Sequence, residues 1–301
     1  MVIVVDKGKS ILDRLRQKAR SSGKSFQLVL QLFSQEEFLR QIYNSPYRDN
    51  FILKGGLLLY CLSGFEGRPT MDIDFLIRNI SNEANNIERI FREITSEKSE
   101  NEFITFEIKN ITPIAEHRDY HGISIKMVSI IKNTKTPFNI DMGVGDVVVP
   151  KPQVRLLPTQ LNDFKKPEIM TYSLESIVAE KFDAIISRME LTSRMKDYYD
   201  IFYLATTYDF EGRKLQEAVF ETLQNRRTVY EADSLEKVNG FNTDPEMLKK
   251  WKHFIKGTLK QEIEFKQVLE IINKFLGPVF EAIVNEDELF DTWNPNKWGY
   301  E

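Results

Sequence analysis

The sequence predicts an α+β protein: a small mixed sheet with flanking helices, followed by a helical half. Three observations predict it. Apolar residues recur every three or four positions over residues 9–44 and again from about 172 to 285. Between those stretches lie short runs rich in Ile, Val, Phe and Thr, as strands require. Prolines 150, 152, 158 and 167 mark where one texture gives way to the other. The join falls near residue 165, giving an N-terminal part of 1–165 and a helical part of 166–301.

In chain order, "SILDRLRQKAR" and "FQLVLQLFSQEEFLRQIYN" read as helices. "GKS" occurs at 8–10 and 23–25 without the glycine five residues earlier that a phosphate-binding P-loop needs, so both read as turns or helix starts. "FILKGGLLLYCLSGF" gives a short strand, a Gly-Gly turn and a helix ending near Gly64. "MDIDFLIRNI" is a strand, and "NEANNIERIFREITS" an amphipathic helix with Ile87, Ile90, Phe91 and Ile94 inward. "NEFITFEIKNITPIAE", "GISIKMVSIIK" and "TPFNIDMGVGDVVV" read as three more strands.

Composition excludes several classes. With 301 residues and a net charge of −4 the chain has room for a large core but no global basic field, so nucleic acid must be met by a local patch. Cys61 is the sole cysteine, which fits a reducing compartment. The apolar opening stops at Asp6, and no later apolar run approaches the ~18 residues of a membrane helix. A cytoplasmic protein without a membrane partner is expected.

Asp72 and Asp74, in "GRPTMDIDFLI", stand one residue apart where a strand begins. Alternate strand side chains share a face, so both carboxylates point one way while Ile73 and Phe75 point the other. Strands avoid Asp, and crowding like charges needs a reason. In one reading Asp72 caps a turn and Asp74 pairs with Arg68 or Arg78. In the other, the pair binds cations together with Asp141 of "PFNIDMGVG" on a neighbouring strand. Mg²⁺ takes oxygen ligands from a few carboxylates and substrate phosphates, and cations let like charges sit close. Upstream, "FILKGG" delivers Gly55 and Gly56 into a helix start, whose bare N–H groups suit phosphate. A Gly-Gly pair alone is often a simple turn; the whole order of strand, Gly-Gly, helix, Asp-x-Asp strand and third Asp is far more specific.

Those stretches, with "SLESIVAEKFDAIISRMELTSRMKDYYDIFYL", resemble the DNA polymerase β-type nucleotidyltransferase superfamily, and more closely the AbiEii/AbiGii nucleotidyltransferase toxins. The resemblance runs from residue 51 to about 204, and "WNPNKWGY" near the end shares the family's look. It implies a polymerase β-like core whose cleft the helical part closes. It implies transfer of a nucleoside monophosphate from an NTP, with two Mg²⁺ ions as cofactors. The implied acceptor is RNA, with tRNA the named candidate. The implied role is the toxin of a toxin–antitoxin or abortive-infection system, partnered by a cognate antitoxin that is often a DNA-binding repressor. By residue, the resemblance implies Asp72, Asp74, Asp141, Lys181 and Asp197 as catalytic, the first three as metal ligands. Lys54, Gly55, Gly56, Thr70 and Lys181 are the implied nucleotide-binding set. Gly56 departs from the Ser of the wider superfamily, and the gap to Asp72 is longer; both are usual in the AbiEii branch. A protein or small-molecule acceptor, or a non-catalytic nucleotide-binding regulator, are the alternatives.

The helical half can be read on its own terms. Ser173 caps a helix whose buried stripe is Leu174, Ile177, Val178, Phe182, Ile185 and Met189, and Lys181 falls in the middle of it. Either its stem lies on the core with the ammonium in water, or the ammonium faces a triphosphate, as the resemblance implies. Arg188 continues that face. Asp197 is placed to pair with Arg194 or Lys181, and Asp200 to support them. Thr70 either contacts phosphate or bonds its own loop. In "MLKKWKHFIKGT", Lys249, Lys252, His253 and Lys256 share a face opposite Trp251, Phe254 and Ile255. That is either a solvated amphipathic helix or a phosphate-tracking surface.

Overall fold

A computed structural model describes residues 6–96, 101–114, 122–258 and 262–301. The apolar opening at 1–5 and the end of one expected strand at 115–116 lie outside them. The chain forms two compact units, Met1–Gly145 with Gln153–Thr171, and Asp146–Pro152 with Tyr172–Glu301.

The first unit begins with α1 (Lys7–Ser22) and α2 (Phe26–Asn44). Asp6 caps α1 by accepting from the Lys9 amide at 3.0 Å, and Ser25 caps α2 by accepting from Leu28 at 3.2 Å. Gly23, with φ of 65°, ends α1 in the left-handed conformation. The two "GKS" triplets are therefore a helix start and an interhelix turn. β1 (Phe51–Lys54), α3 (Gly55–Leu62), β2 (Asp72–Ile77) and α4 (Ala84–Ser96) follow. Then come β3 (Ile104–Ile114), β4 (Gly122–Ile131), β5 (Thr134–Gly143), β6 (Gln153–Leu156) and β7 (Glu168–Thr171). Among the described residues they make one seven-stranded sheet in the order β3-β4-β5-β2-β1-β7-β6. It is mixed: β2 runs parallel to β5 and β1 to β7, while the other neighbours are antiparallel.

One face of the sheet carries Phe51, Leu53, Ile73, Phe75, Phe138 and Ile140, all buried. Their rings continue into the helices, with Phe51 at 5.4 Å from Phe75 and 5.8 Å from Phe91. Ile87, Ile90, Phe91 and Ile94 of α4 are all buried, as its periodicity predicts. α2 is more enclosed than its pattern suggests. Every residue from Val29 to Ile42 is buried, including Gln31, Ser34, Gln35, Glu36, Glu37, Arg40 and Gln41.

The second unit holds α5 (Leu174–Arg188), α6 (Met195–Thr207), β8 (Phe210–Glu211) and α7 (Gly212–Asn225). It continues with α8 (Ser234–Gly240), α9 (Pro245–Thr258), α10 (Phe265–Asn285), β9 (Thr292–Asn294) and β10 (Gly299–Tyr300). β8, β9 and β10 form a small sheet that fastens the C-terminal "WNPNKWGY". Trp293, fully buried, donates from its indole to the Ala205 carbonyl at 2.7 Å. Residues 146–152 join this unit through a buried ion cluster. Arg226 bonds Asp146 at 2.8 Å and Asp183 at 2.8 Å, and lies 3.1 Å from Glu180. No helix among the described residues is long and apolar enough to cross a membrane. The α+β class read from sequence is the class of the fold.

Candidate active site

Strand register gathers the carboxylates. On parallel β2 and β5, Asp74 lies opposite Asp141 and Asp72 opposite Asn139. Opposed residues share a sheet face, so Asp72, Asp74 and Asp141 stand together. Antiparallel β1 sets Lys54 opposite Asp74, and β4 sets Ser124 opposite Asp141 and Lys126 opposite Asn139. The face thus carries a row of Lys54, Asp74, Asp141 and Ser124 beside a row of Asp72, Asn139 and Lys126. Ile73, Phe75 and Ile140 point the other way into the core, and this pins the register. A one-residue slip would drive the carboxylates inward. All three aspartates keep partial exposure, and the Asn139 amide donates to Asp72 at 3.1 Å.

The Gly-Gly turn closes on the same carboxylates. Lys54 ends β1 with extended backbone and α3 starts at Gly55, whose φ is +68°. A Cβ there would strike Asp74, at 2.7 Å from Cγ and 2.9 Å from Cβ. Glycine is therefore required twice, for the left-handed backbone and for the approach of the carboxylate. At Gly56 a Cβ would crowd Thr70, 3.0 Å from its hydroxyl and 3.2 Å from its Cβ, with Arg68 at 3.4 Å. That crowding is a physical reason for glycine at position 56. The N-terminus of α3, Asp74, Thr70 and Arg68 thereby share one neighbourhood.

The donors on this face are carboxylates, an amide and a hydroxyl, with no Cys or His. Such hard oxygen donors suit Mg²⁺ rather than a softer transition metal. Among the described residues no three His, Cys, Asp or Glu side chains converge as a formed metal site. The backbone placement of Asp72, Asp74 and Asp141 on one face fits such ions in kind.

A second charged cluster lies in the helical unit. Ser173 caps α5 by accepting from Ser176 at 3.1 Å, as its sequence suggests. Lys181 is only 8% exposed, with its ammonium 2.5 Å from Asp200 and 3.3 Å from Asp197. Its charge is enclosed rather than in water, which excludes snorkelling. Asp197 also accepts from Arg194 at 2.6 Å, so both partners expected for it are present. Burial pushes the Asp197 carboxyl up, but Lys181 and Arg194 outweigh burial and hold it below the usual range. α5 stops at Arg188, which is exposed; Met189 (φ 45°) is half-buried beyond the helix rather than ending its stripe. On α9, Lys249, Lys252, His253 and Lys256 are exposed while Trp251 and Ile255 are buried. Asn139, Ser124 and Lys126 were not singled out by sequence. Asn139 was within reach, since it lies two residues before Asp141 on the same strand and so on the same face.

An acidic sheet face beside a glycine-led helix start belongs to nucleotidyltransferases as a class. The fold agrees: the chain resembles MenT4, a nucleotidyltransferase toxin from Mycobacterium tuberculosis, with a TM-score of 0.58 at 14% identity, covering 94% of this chain and 92% of that one. JHP933 from Helicobacter pylori gives a TM-score of 0.47 at 14% identity, covering 87% and 94% respectively. No curated protein matches by sequence. The family described as nucleotidyl transferase AbiEii toxin, type IV toxin–antitoxin system, matches residues 37–284, and the chain belongs to that family.

Proposed function

We propose that the protein transfers a nucleoside monophosphate from an NTP to an RNA acceptor, with tRNA the first candidate. In this reading it acts in the cytoplasm as the toxin of its system, held in check by a cognate antitoxin. The observation that carries the reading is the single sheet face bearing Asp72, Asp74 and Asp141 against the Gly55–Gly56 helix start. Asp72, Asp74 and Asp141 would hold two Mg²⁺ ions, which when bound supply charge neutralisation at the phosphates and activation of the attacking hydroxyl. The α3 N-terminus, with Gly55 and Gly56, offers N–H groups to the triphosphate, and Lys54 and Thr70 flank it. The acceptor oxygen bonds the α-phosphorus, the bond to pyrophosphate breaks, and the hydroxyl proton leaves to solvent. Lys181 is proposed as a phosphate counter-charge, with Asp197 orienting it. A division near residue 165 is proposed to separate the nucleotide-binding part from the helical part, with β7 (Glu168–Thr171) remaining in the sheet unit.

Incubation with each α-labelled NTP and total cell RNA or protein tests the reading. Label in a defined RNA fraction, absent with Asp72→Ala, is the expected result. Label in protein or in a small molecule overturns the RNA acceptor, and no label anywhere overturns the transferase. Expression without the antitoxin should arrest growth, and Asp72→Ala at matched protein levels should relieve the arrest.

A further inference from the structure

Two buried amides on α2 converge on one backbone oxygen beside the acidic pair. Gln31 and Gln35 are 2% and 1% exposed. They stand four residues apart on one helix face, and both side-chain NH₂ groups donate to the Met71 carbonyl, Gln35 at 2.9 Å. The Met71 carbonyl and the Asp72 amide nitrogen belong to the same rigid peptide plane. Fixing that oxygen fixes the plane from which β2 departs, and with it the direction in which Asp72 and Asp74 face. We propose that Gln31 and Gln35 are positioning residues that set the Asp72–Asp74 pair for metal and nucleotide.

Stability alone does not account for this arrangement. The Gln35 amide oxygen is buried without a hydrogen-bond partner, an uncommon state for an enclosed polar atom. The side chain is thus kept for its donor while its acceptor goes unsatisfied. Other bonds restrain the same loop nearer its start: Lys24 donates to the Phe65 carbonyl at 2.5 Å, and Ser63 accepts from the Gly67 amide at 2.8 Å. The two glutamines act at its far end, where it meets the carboxylates. They also lie before residue 37, where the family match begins.

The inference rests on the nucleotidyltransferase reading, and the test separates the two. Gln31→Met with Gln35→Met keeps side-chain volume and removes both donors; each single variant serves if the pair does not fold. Hydrogen exchange at residues 70–74 should quicken about tenfold or more while the rest of the sheet is unchanged. Calorimetry with a non-hydrolysable NTP should show a severalfold rise in the Mg²⁺ needed for binding. kcat should fall about 10- to 100-fold, the scale of a misplaced catalytic group, with KM for NTP at saturating Mg²⁺ nearly unchanged. Wild-type exchange, or a wild-type Mg²⁺ requirement and kcat in folded variants, overturns the positioning role. A wild-type protein that binds no Mg²⁺–NTP at all overturns instead the nucleotidyltransferase reading on which that role depends.

Discussion

In the sheet unit, Asp72, Asp74 and Asp141 stand partly exposed on a face that strand register created. In the helical unit, Asp197 and Asp200 are 1% and 2% exposed and both engage Lys181. The difference lies in access to solvent. A buried carboxylate must find its cation within the fold, and the helical cluster does so through one lysine and one arginine. A half-exposed carboxylate stays within reach of an ion from solution whatever its protein partners, which is what the proposed metal role asks of it, whereas the enclosed cluster is closed to solvent. Each prediction below presses on that contrast.

The largest effect is expected on the open face. Asp141→Asn is nearly isosteric but loses the charge, so Mg²⁺–NTP binding should persist while transfer falls by on the order of 10²–10⁴. Asp72→Asn, beside Asp74 on the strand that meets the Gly-Gly turn, should weaken both. Calorimetric titration paired with single-turnover rates measures the two effects apart. If Asp141→Asn loses nucleotide binding as badly as Asp72→Asn, Asp141 does not serve the attacking side. Asp146, the next acid along, is a poor substitute because Arg226 bonds it twice.

On the closed cluster the expected loss is first one of stability. Lys181→Met withdraws the ammonium from Asp197 and Asp200, and breaking such a buried pair should cost about 3–5 kcal/mol. Denaturant midpoints measure it. Adding Asp200→Asn to Lys181→Met should recover much of that loss. The double variant then asks the chemical question directly. Transfer that returns with stability makes Lys181 a structural lysine, whereas a folded but inactive protein supports its action on phosphate.

Acid and base should separate another pair of buried carboxyls. Burial pushes Glu36 on α2 up to about 8, against the opposing pull of Arg40 and the hydrogen bond from the Gln160 amide. Between its ordinary value and about 8 the folded state binds more protons than the unfolded chain, so stability falls as pH rises through that window. Asp197 has the opposite sign: its lowered pKa contributes stability above the ordinary Asp value that is lost as pH falls. Urea midpoints at pH 5, 6.5 and 8 should decline in the wild type and flatten in Glu36→Gln. An unchanged slope in that variant would remove Glu36 as its source.

What was legible in sequence followed the same line. The strand "DIDFLI" and the helix with Ile87, Ile90, Phe91 and Ile94 declared themselves because one face is apolar and the other is not. The acidic face could be read because period-two alternation is local. β6 and β7, four residues each, fell below the length at which periodicity speaks, and the surrounding prolines masked them. β8, β9 and β10 are shorter still, and β8 pairs with β9 across some 80 residues of chain. The full burial of α2 was hidden for another reason: its polar residues find partners on distant loops, such as the Met71 carbonyl, and no local pattern announces those partners.

The smallest effect is expected on α9, where the helical unit has its own open face. Lys252 and Lys256 are exposed, opposite buried Trp251 and Ile255. Replacing both lysines with alanine removes no packing, so the denaturant midpoint should move by no more than about 0.5 kcal/mol equivalent. A role in tracking an RNA backbone would appear elsewhere. Each lost phosphate contact should reduce the salt dependence of acceptor binding by about 0.7 in log–log slope for single-stranded RNA. KM for RNA should therefore rise severalfold at low salt and converge with wild type at high salt, while KM for NTP stays put. Charge-neutral packing cannot produce that convergence, because a lost apolar contact would weaken binding at every ionic strength. Equal RNA KM in wild type and variant across the salt series would make this face an ordinary solvated helix surface, and the acceptor would have to be held by another part of the protein.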